Sequence, residues 1–227
     1  MNSKKNLERI GWIKDTIGDE VDLMVYASQS YVDNPWTDIE AIRVAWRLED
    51  YGVFWLEERL HPDNIERYRR LCGRTTVPIA SGGNEYTRFG FQQLMAPRAV
   101  DIVQLNMILS KGVSECKKIA AMASTCQIAC APHYYDTGVG LMANIHFIAS
   151  TANCFILEYD RTVNTLRDEL MLTSLLAENG YVRLQESPRP GLIGIETFKE
   201  RFRFLVTGNV VDTEQQARSS QLTFLEI

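Results

Sequence analysis

The chain has 227 residues, of which 45% are hydrophobic and 23% are charged, so it can bury one sizeable core and is predicted to be a single globular domain. Its formal net charge of −5 excludes the basic surface that nucleic-acid-binding proteins use, and it has no run of Lys and Arg suited to a membrane surface. No apolar stretch reaches about 18 residues, and the segment from Met1 to Glu20 lacks the apolar core of a signal peptide. We therefore expect a cytoplasmic protein with a small or polar partner.

Apolar runs typical of β-strands recur along the chain with helical segments between them. The runs begin near Leu23, Phe54, Val77, Asp101, Gln127 and Cys154. The clearest helix start is a capping box formed by Thr37 and Glu40, and Gly52 is predicted to end that helical segment. Strands that alternate with helices of this length predict βαβ units and a parallel sheet. Six such units in a row favour a (β/α) barrel over an open sheet.

The predicted barrel is incomplete. A (β/α)8 TIM barrel closes with eight strands, whereas six strong strand patterns are present and the chain starts directly in the helical segment KKNLERIGWIKDTIG. We predict a barrel domain of about six βα units over residues 1–165 and a C-terminal tail over residues 166–227. In the tail, a turn is predicted at Asn179 and Gly180, and residues 195–206 are predicted to form a short helix that packs on the barrel.

Side chains at the carboxyl ends of the strands are the candidates for chemistry, because barrel active sites lie at that end. They are Tyr26, Ser28, Glu57, Glu58, residues 82–85, Gln104, Asn106, His133 and Glu158. Six motifs around these positions are LMVYASQ, WLEERLHPD, PIASGGNEYTR, DIVQLNMILSKGVSE, CAPH and LEY.

In order and spacing, these motifs resemble those of the enolase superfamily, in its mandelate racemase and muconate lactonizing enzyme branch. The segments EYDRTVNTLRDEL, NGYVRL and GLIGIE resemble the C-terminal tail of the sugar-acid dehydratase-like members. The resemblance covers about residues 4–200 and implies the C-terminal barrel domain only, a modified (β/α)8 barrel that lacks the N-terminal capping domain and the first strands.

The resemblance also implies a chemistry, the Mg²⁺-assisted abstraction of the α-proton of a small carboxylic or sugar acid. In the family, three carboxylates on consecutive strands hold the ion, which stabilises the enolate. One of these positions is Glu57 here, whereas the other two are Tyr26 and Gly83. Because Mg²⁺ requires near-octahedral oxygen ligation, we expect it to bind weakly or not at all, with Tyr26 filling its volume. Arg59 or another cation is then a candidate counter-ion for the glutamates.

The groups that abstract the proton are altered as well. His133 matches the family's basic histidine, but the aspartate that should support it is Asn106, so the basicity of His133 is expected to fall. The family's lysine base has no counterpart in this sequence. Glu158 matches a position that binds or polarises the substrate, and Tyr26 and Gln29 are further candidate substrate contacts.

Three hypotheses remain open for the function. The first is a catalytically impaired barrel, a pseudoenzyme, because the departures from the family concentrate at the ligand and base positions. The second is a residual dehydratase, racemase or isomerase that uses His133 as its one base. The third is a non-catalytic interaction or assembly protein, and a homo-oligomer is expected because unpaired sheet edges favour pairing with another chain. The tail is expected to expose Leu170, Leu172 and Leu176.

Overall fold

Helices and short strands alternate along the chain, as the sequence predicts. The computed structural model describes residues 3–29, 32–171, 177–184 and 197. The helices are α1 (Ser3–Ile17), α2 (Asp38–Glu49), α3 (Ile65–Cys72), α4 (Thr87–Met95), α5 (Val113–Thr125), α6 (Gly138–Ala149) and α7 (Thr165–Asp168). The strands are β1 (Met24–Tyr26), β2 (Trp55–Glu57), β3 (Ile79–Ser81), β4 (Ile102–Val103), β5 (Ala129–Cys130), β6 (Ala177–Glu178) and β7 (Tyr181–Val182).

The first five strands form one parallel sheet in chain order, β1-β2-β3-β4-β5. A helix follows each of these strands along the chain, which is the arrangement of repeated βα units. The sixth predicted strand is represented by a single parallel bridge between Cys130 and Cys154. The predicted α/β class with a parallel sheet is therefore confirmed.

The start of α2 follows the predicted capping box. The side chain of Thr37 accepts a hydrogen bond from the main-chain N–H of Glu40, and the Glu40 carboxylate accepts one from the N–H of Thr37 at 2.9 Å. These contacts satisfy two donors that a helix N-terminus otherwise leaves without partners. Past the end of the helix, Gly52 has a φ of 59°, a left-handed conformation that glycine adopts without a steric penalty.

The described chain divides into two compact units. The first contains the residues up to His133 together with Phe147–Glu158, and the second contains Tyr134–His146 together with residues from Tyr159 onward. In the first unit, apolar side chains of α2, α3, β2 and β3 pack into one buried core. Its fully buried members include Leu48, Leu56, Leu71 and Ile79. Burying each side chain of this size stabilises the fold by about 1.5–3 kcal/mol.

The second unit is held by a buried arginine. Arg167 forms ion pairs with Asp160 at 3.1 Å and Asp168 at 2.8 Å and also donates to the main-chain carbonyl of Thr162. The guanidinium is therefore buried together with its acceptors, which offsets the cost of removing its charge from water.

The described parts of the C-terminal tail only partly follow the prediction. β6 and β7 form an antiparallel hairpin, and Asn179 and Gly180 have φ values of 51° and 79°, which confirms the predicted turn. Leu170 is buried, so its expected exposure was wrong, since packing its apolar side chain removes it from water. Leu172, Leu176 and, apart from residue 197, the predicted helix at residues 195–206 lie outside the described residues.

No helix within the described ranges is both long and apolar enough to cross a membrane.

Candidate active site

The carboxyl ends of the parallel strands bring the predicted site residues to one edge of the sheet. Tyr26 is the last residue of β1 and pairs in register with Glu57, the last residue of β2. After β4 and β5, the chain continues to Asn106 and His133, which form a further parallel bridge. Glu158 joins this edge through Gln104, whose side-chain Nε2 donates to Glu158 Oε1. Residues far apart in the sequence therefore face a common region.

Glu58, which follows Glu57 in the sequence, contacts side chains from two other strand ends. Glu58 has a φ of 42°, so the chain leaves strand geometry at this residue. Its carboxylate accepts hydrogen bonds from Tyr26 Oη at 3.1 Å and from Asn84 Nδ2 at 2.7 Å. The Tyr26 phenol therefore contacts a carboxylate. Asn84 lay among the strand-end candidates, but the sequence assigned no role to its amide.

Gly83 contributes no oxygen donor to this edge, because it has no side chain. A Cβ atom added to Gly83 would lie 3.6 Å from Glu58 Oε1 and 3.6 Å from Cδ2 of His133, which are ordinary van der Waals distances. The position therefore lies between the Glu58 carboxylate and the His133 ring, and it has space for at least a β-carbon.

The carboxyl groups of Glu57, which is buried, and Glu158, which is half-buried, both lie near Gln104. Burial raises the pKa of Glu57 to about 7, a contact with the Gln104 amide opposes this shift, and the charge of Glu58 adds to it. Burial also raises the pKa of Glu158, and the neighbouring charge of Glu57 contributes in the same direction. The buried Oε1 atom of Gln104 has no hydrogen-bond partner within the described part of the chain. Burial and the repulsion between the two negative charges therefore both favour the protonated form of these carboxyl groups.

His133 and Asn106 lie side by side. Nδ2 of Asn106 is 3.4 Å from Nδ1 of His133. Oδ1 of Asn106 accepts hydrogen bonds from the main-chain N–H groups of Ile108, at 2.9 Å, and Leu109, at 3.0 Å. The imidazole therefore faces an amide in place of the carboxylate that the family resemblance implies at this position.

Gln29 is buried and hydrogen-bonded to the main chain at both ends of its amide. Nε2 donates to the carbonyl of Ala27 at 2.9 Å, and Oε1 accepts from the N–H of Trp36 at 3.0 Å. These contacts hold the segment that follows β1. A role for Gln29 as a substrate contact stays a prediction.

Arg59 does not act as a counter-ion for the glutamates, contrary to the expectation. Its guanidinium is fully buried and stacks on the Trp36 ring, 4.3 Å from the ring centroid. None of its three side-chain nitrogens has a hydrogen-bond partner among the residues that the structure describes. Burial lowers its pKa to about 9, because the charged form loses its hydration. The sequence could not reveal this, because it shows adjacency along the chain and not the direction of a side chain.

The side chains at these strand ends do not fit a magnesium ion. Mg²⁺ demands near-octahedral oxygen ligation, mainly from carboxylates and water. Glu57 is the one carboxylate at the three positions that the resemblance assigns to the metal, because Tyr26 offers a neutral phenol and Gly83 offers no side chain. In the described ranges, no group of three or more His, Cys, Asp or Glu side chains is arranged to hold a metal ion.

Known proteins resemble this chain in both sequence and fold. Residues 2–200 match the family described as "Enolase C-terminal domain-like". Arabinonate dehydratase of Saccharolobus solfataricus is 34% identical over 83% of this chain and 48% of its own length. The solved structure of 3,6-anhydro-D-galactonate cycloisomerase from Zobellia galactanivorans has a TM-score of 0.80 at 31% identity, over 89% of this chain and 56% of that chain. A mandelate racemase/muconate lactonizing enzyme from Sulfitobacter sp. has a TM-score of 0.77 at 28% identity, over 86% of this chain and 48% of that chain.

The family match covers most of the chain, and the chain spans about half the length of the relatives that it matches. These relatives have the (β/α) barrel architecture that the strand and helix order of this chain predicts. The chain therefore belongs to the enolase superfamily, in its mandelate racemase and muconate lactonizing enzyme branch, and corresponds to the C-terminal barrel domain.

Proposed function

We propose that this chain is a sugar-acid dehydratase-like or isomerase-like barrel that binds a small carboxylic or sugar acid at its strand ends but is impaired in Mg²⁺-assisted α-proton abstraction. One observation carries the proposal. Tyr26 occupies the end of β1, where the resemblance implies a carboxylate ligand, and donates a hydrogen bond to Glu58. A neutral donor thus replaces a negative oxygen and also engages a neighbouring carboxylate.

The expected loss of rate follows from the charge that the reaction develops. Removing the α-proton of a carboxylate creates a dianionic enolate, which a metal ion and fixed hydrogen-bond donors must stabilise. Losing one such electrostatic contact commonly costs about 3–4 kcal/mol, or about 10²–10³ in rate. Tyr26, Gly83 and Asn106 each depart from the family at such a position, so we expect the barrier to exceed useful turnover even if their effects are not additive.

Binding of an acid remains chemically reasonable at the same edge. The region contains the imidazole of His133 and the carboxyl groups of Glu57 and Glu158, whose raised pKa values favour the protonated form, and such groups can donate hydrogen bonds to carboxylate or hydroxyl oxygens. Relatives named for arabinonate and 3,6-anhydro-D-galactonate act on acids of this class. These features support a sugar acid as the ligand class.

Exchange of the α-proton for deuterium tests the proposal directly. The protein, with Mg²⁺, is incubated in D₂O with a panel of sugar acids, and NMR monitors the α-proton signal, while line broadening of the same acids reports binding. We expect binding without exchange, and arabinonate dehydratase serves as the positive control. Exchange that disappears in His133→Asn would contradict the proposal and establish the residual one-base enzyme.

A second candidate function is assembly with another chain. In the described sheet, β1 lies at one edge, and an edge strand offers main-chain N–H and C=O groups for pairing. Light scattering at micromolar concentration tests this candidate, with a homo-oligomer as the expected result. A stable monomer across that concentration range would count against it.

A further inference from the structure

We propose that Asn106 holds the neutral His133 imidazole in the tautomer that carries its proton on Nε2, so that His133 offers a ligand a hydrogen-bond donor and not a base. The inference concerns the free protein. It deepens the proposed function, on which it rests only for the class of the ligand, an oxygen acceptor such as the carboxylate of a sugar acid.

The orientation of the Asn106 amide is determined by the turn that follows it. The N–H groups of Ile108 and Leu109 both donate to one atom of this amide, at 2.9 and 3.0 Å, and only an oxygen can accept two such bonds. A flipped amide would place its NH₂ group against two N–H donors. The N–H of Ser110 also donates to the main-chain carbonyl of Asn106 at 2.8 Å, which closes the same turn.

The fixed amide decides which nitrogen of His133 carries the proton. With Oδ1 engaged by the turn, Nδ2 is the amide atom that faces Nδ1 of His133, at 3.4 Å. Nδ2 has only hydrogens to offer, so Nδ1 must present its lone pair, and the proton of the neutral ring lies on Nε2.

The main chain keeps the two residues in this relationship. Asn106 and His133 form a parallel β-bridge, and the N–H of His133 donates to the carbonyl of Leu105 at 3.0 Å. The side-chain contact therefore joins two positions that are already adjacent, and little conformational freedom is lost in forming it.

The Cγ–Cδ2 side of the ring faces Gly83 at a neighbouring strand end. A Cβ at Gly83 would be 3.6 Å from both Cγ and Cδ2 of His133, and Nε2 is bonded to Cδ2. The same Cβ would be 3.6 Å from Glu58 Oε1. A carboxylate at position 106 would reverse the chemistry, because it would accept a proton from Nδ1 and leave the lone pair on Nε2. The presence of an amide in place of a carboxylate at position 106 thus changes Nε2 of His133 from a base into a hydrogen-bond donor.

Long-range ¹H–¹⁵N NMR spectra distinguish the two tautomers without any ligand. At pH 8, above the ordinary histidine pKa of about 6.5, we expect an unprotonated Nδ1 and a protonated Nε2 in His133, with the signals assigned from their loss in His133→Gln. Asn106→Asp retains an oxygen for the turn, so it should fold. In this variant we expect a protonated Nδ1 and an unprotonated Nε2 in His133. His61, whose Nδ1 lies 3.6 Å from Asp63, is the internal control and should not change.

Three results would overturn the inference: a proton on Nδ1 of His133 in the unmodified protein, a mixture of both tautomers, or a spectrum that Asn106→Asp leaves unchanged. The spectra contain no substrate. Their outcome is therefore separate from the deuterium-exchange test, which can fail or succeed independently.

Discussion

Replacing Glu57 by Gln should stabilise the protein at high pH and have little effect at low pH. Burial raises the pKa of Glu57 from 4.5 to about 7. Between these pH values the folded state binds more protons than the unfolded state, so the free energy of unfolding falls as pH rises through this window. At 1.36 kcal/mol per pKa unit, the shift corresponds to about 3 kcal/mol of lost stability above pH 7. Gln has nearly the same shape and cannot ionise, so Glu57→Gln should recover up to about that amount.

Urea denaturation at pH 4.5 and pH 8, with EDTA present, measures this difference. Glu49→Gln is the matched control, because hydrogen bonds from Thr76 and Thr75 lower the pKa of that exposed carboxylate, and its replacement should lower stability at pH 8. An advantage of Glu57→Gln that is the same at both pH values would refute the linkage. Repeating the pH 8 measurement with millimolar Mg²⁺ tests the metal, since an ion on Glu57 would stabilise the unmodified protein selectively.

Three further predictions concern the metal positions, the buried arginines and the helix cap. Calorimetry should detect no Mg²⁺ binding with a dissociation constant below the millimolar range. Tyr26→Asp combined with Gly83→Glu should tighten binding, because the two changes restore two carboxylates. Tight binding of Mg²⁺ by the unmodified chain would contradict this prediction. Arg59→Met should raise the free energy of unfolding by about 1–3 kcal/mol, because it removes a buried guanidinium that has no hydrogen-bond partner in the described residues. Arg167→Met should lower the free energy of unfolding by about 3–5 kcal/mol, because it leaves the acidic partners of Arg167 uncompensated. Equal effects of the two arginine replacements in urea denaturation would disprove this contrast. Thr37→Ala should lower stability by about 1 kcal/mol in the same assay, and an unchanged midpoint would show that the capping box contributes little.

The sequence by itself determined the features that depend on neighbours along the chain. These features are the alternation of strands and helices, the Thr37 capping box and the turn at Asn179. They follow from local periodicity and local hydrogen bonding, which are determined by a few residues close together in the sequence. The strand-end rule then selected Tyr26 and Glu57 as neighbours, because parallel strands in register place their carboxyl ends together.

Only the tertiary structure decided how these groups interact. The contact between Tyr26 and Glu58 joins residues that are 32 positions apart in the sequence. It depends on the φ of 42° at Glu58, which no local sequence pattern predicts. The stacking of Arg59 on Trp36 and the raised pKa of Glu57 depend on which side chains exclude water. Side-chain direction, pairing and desolvation are set by residues that are remote in sequence and close in space, so a pattern of residue types cannot supply them.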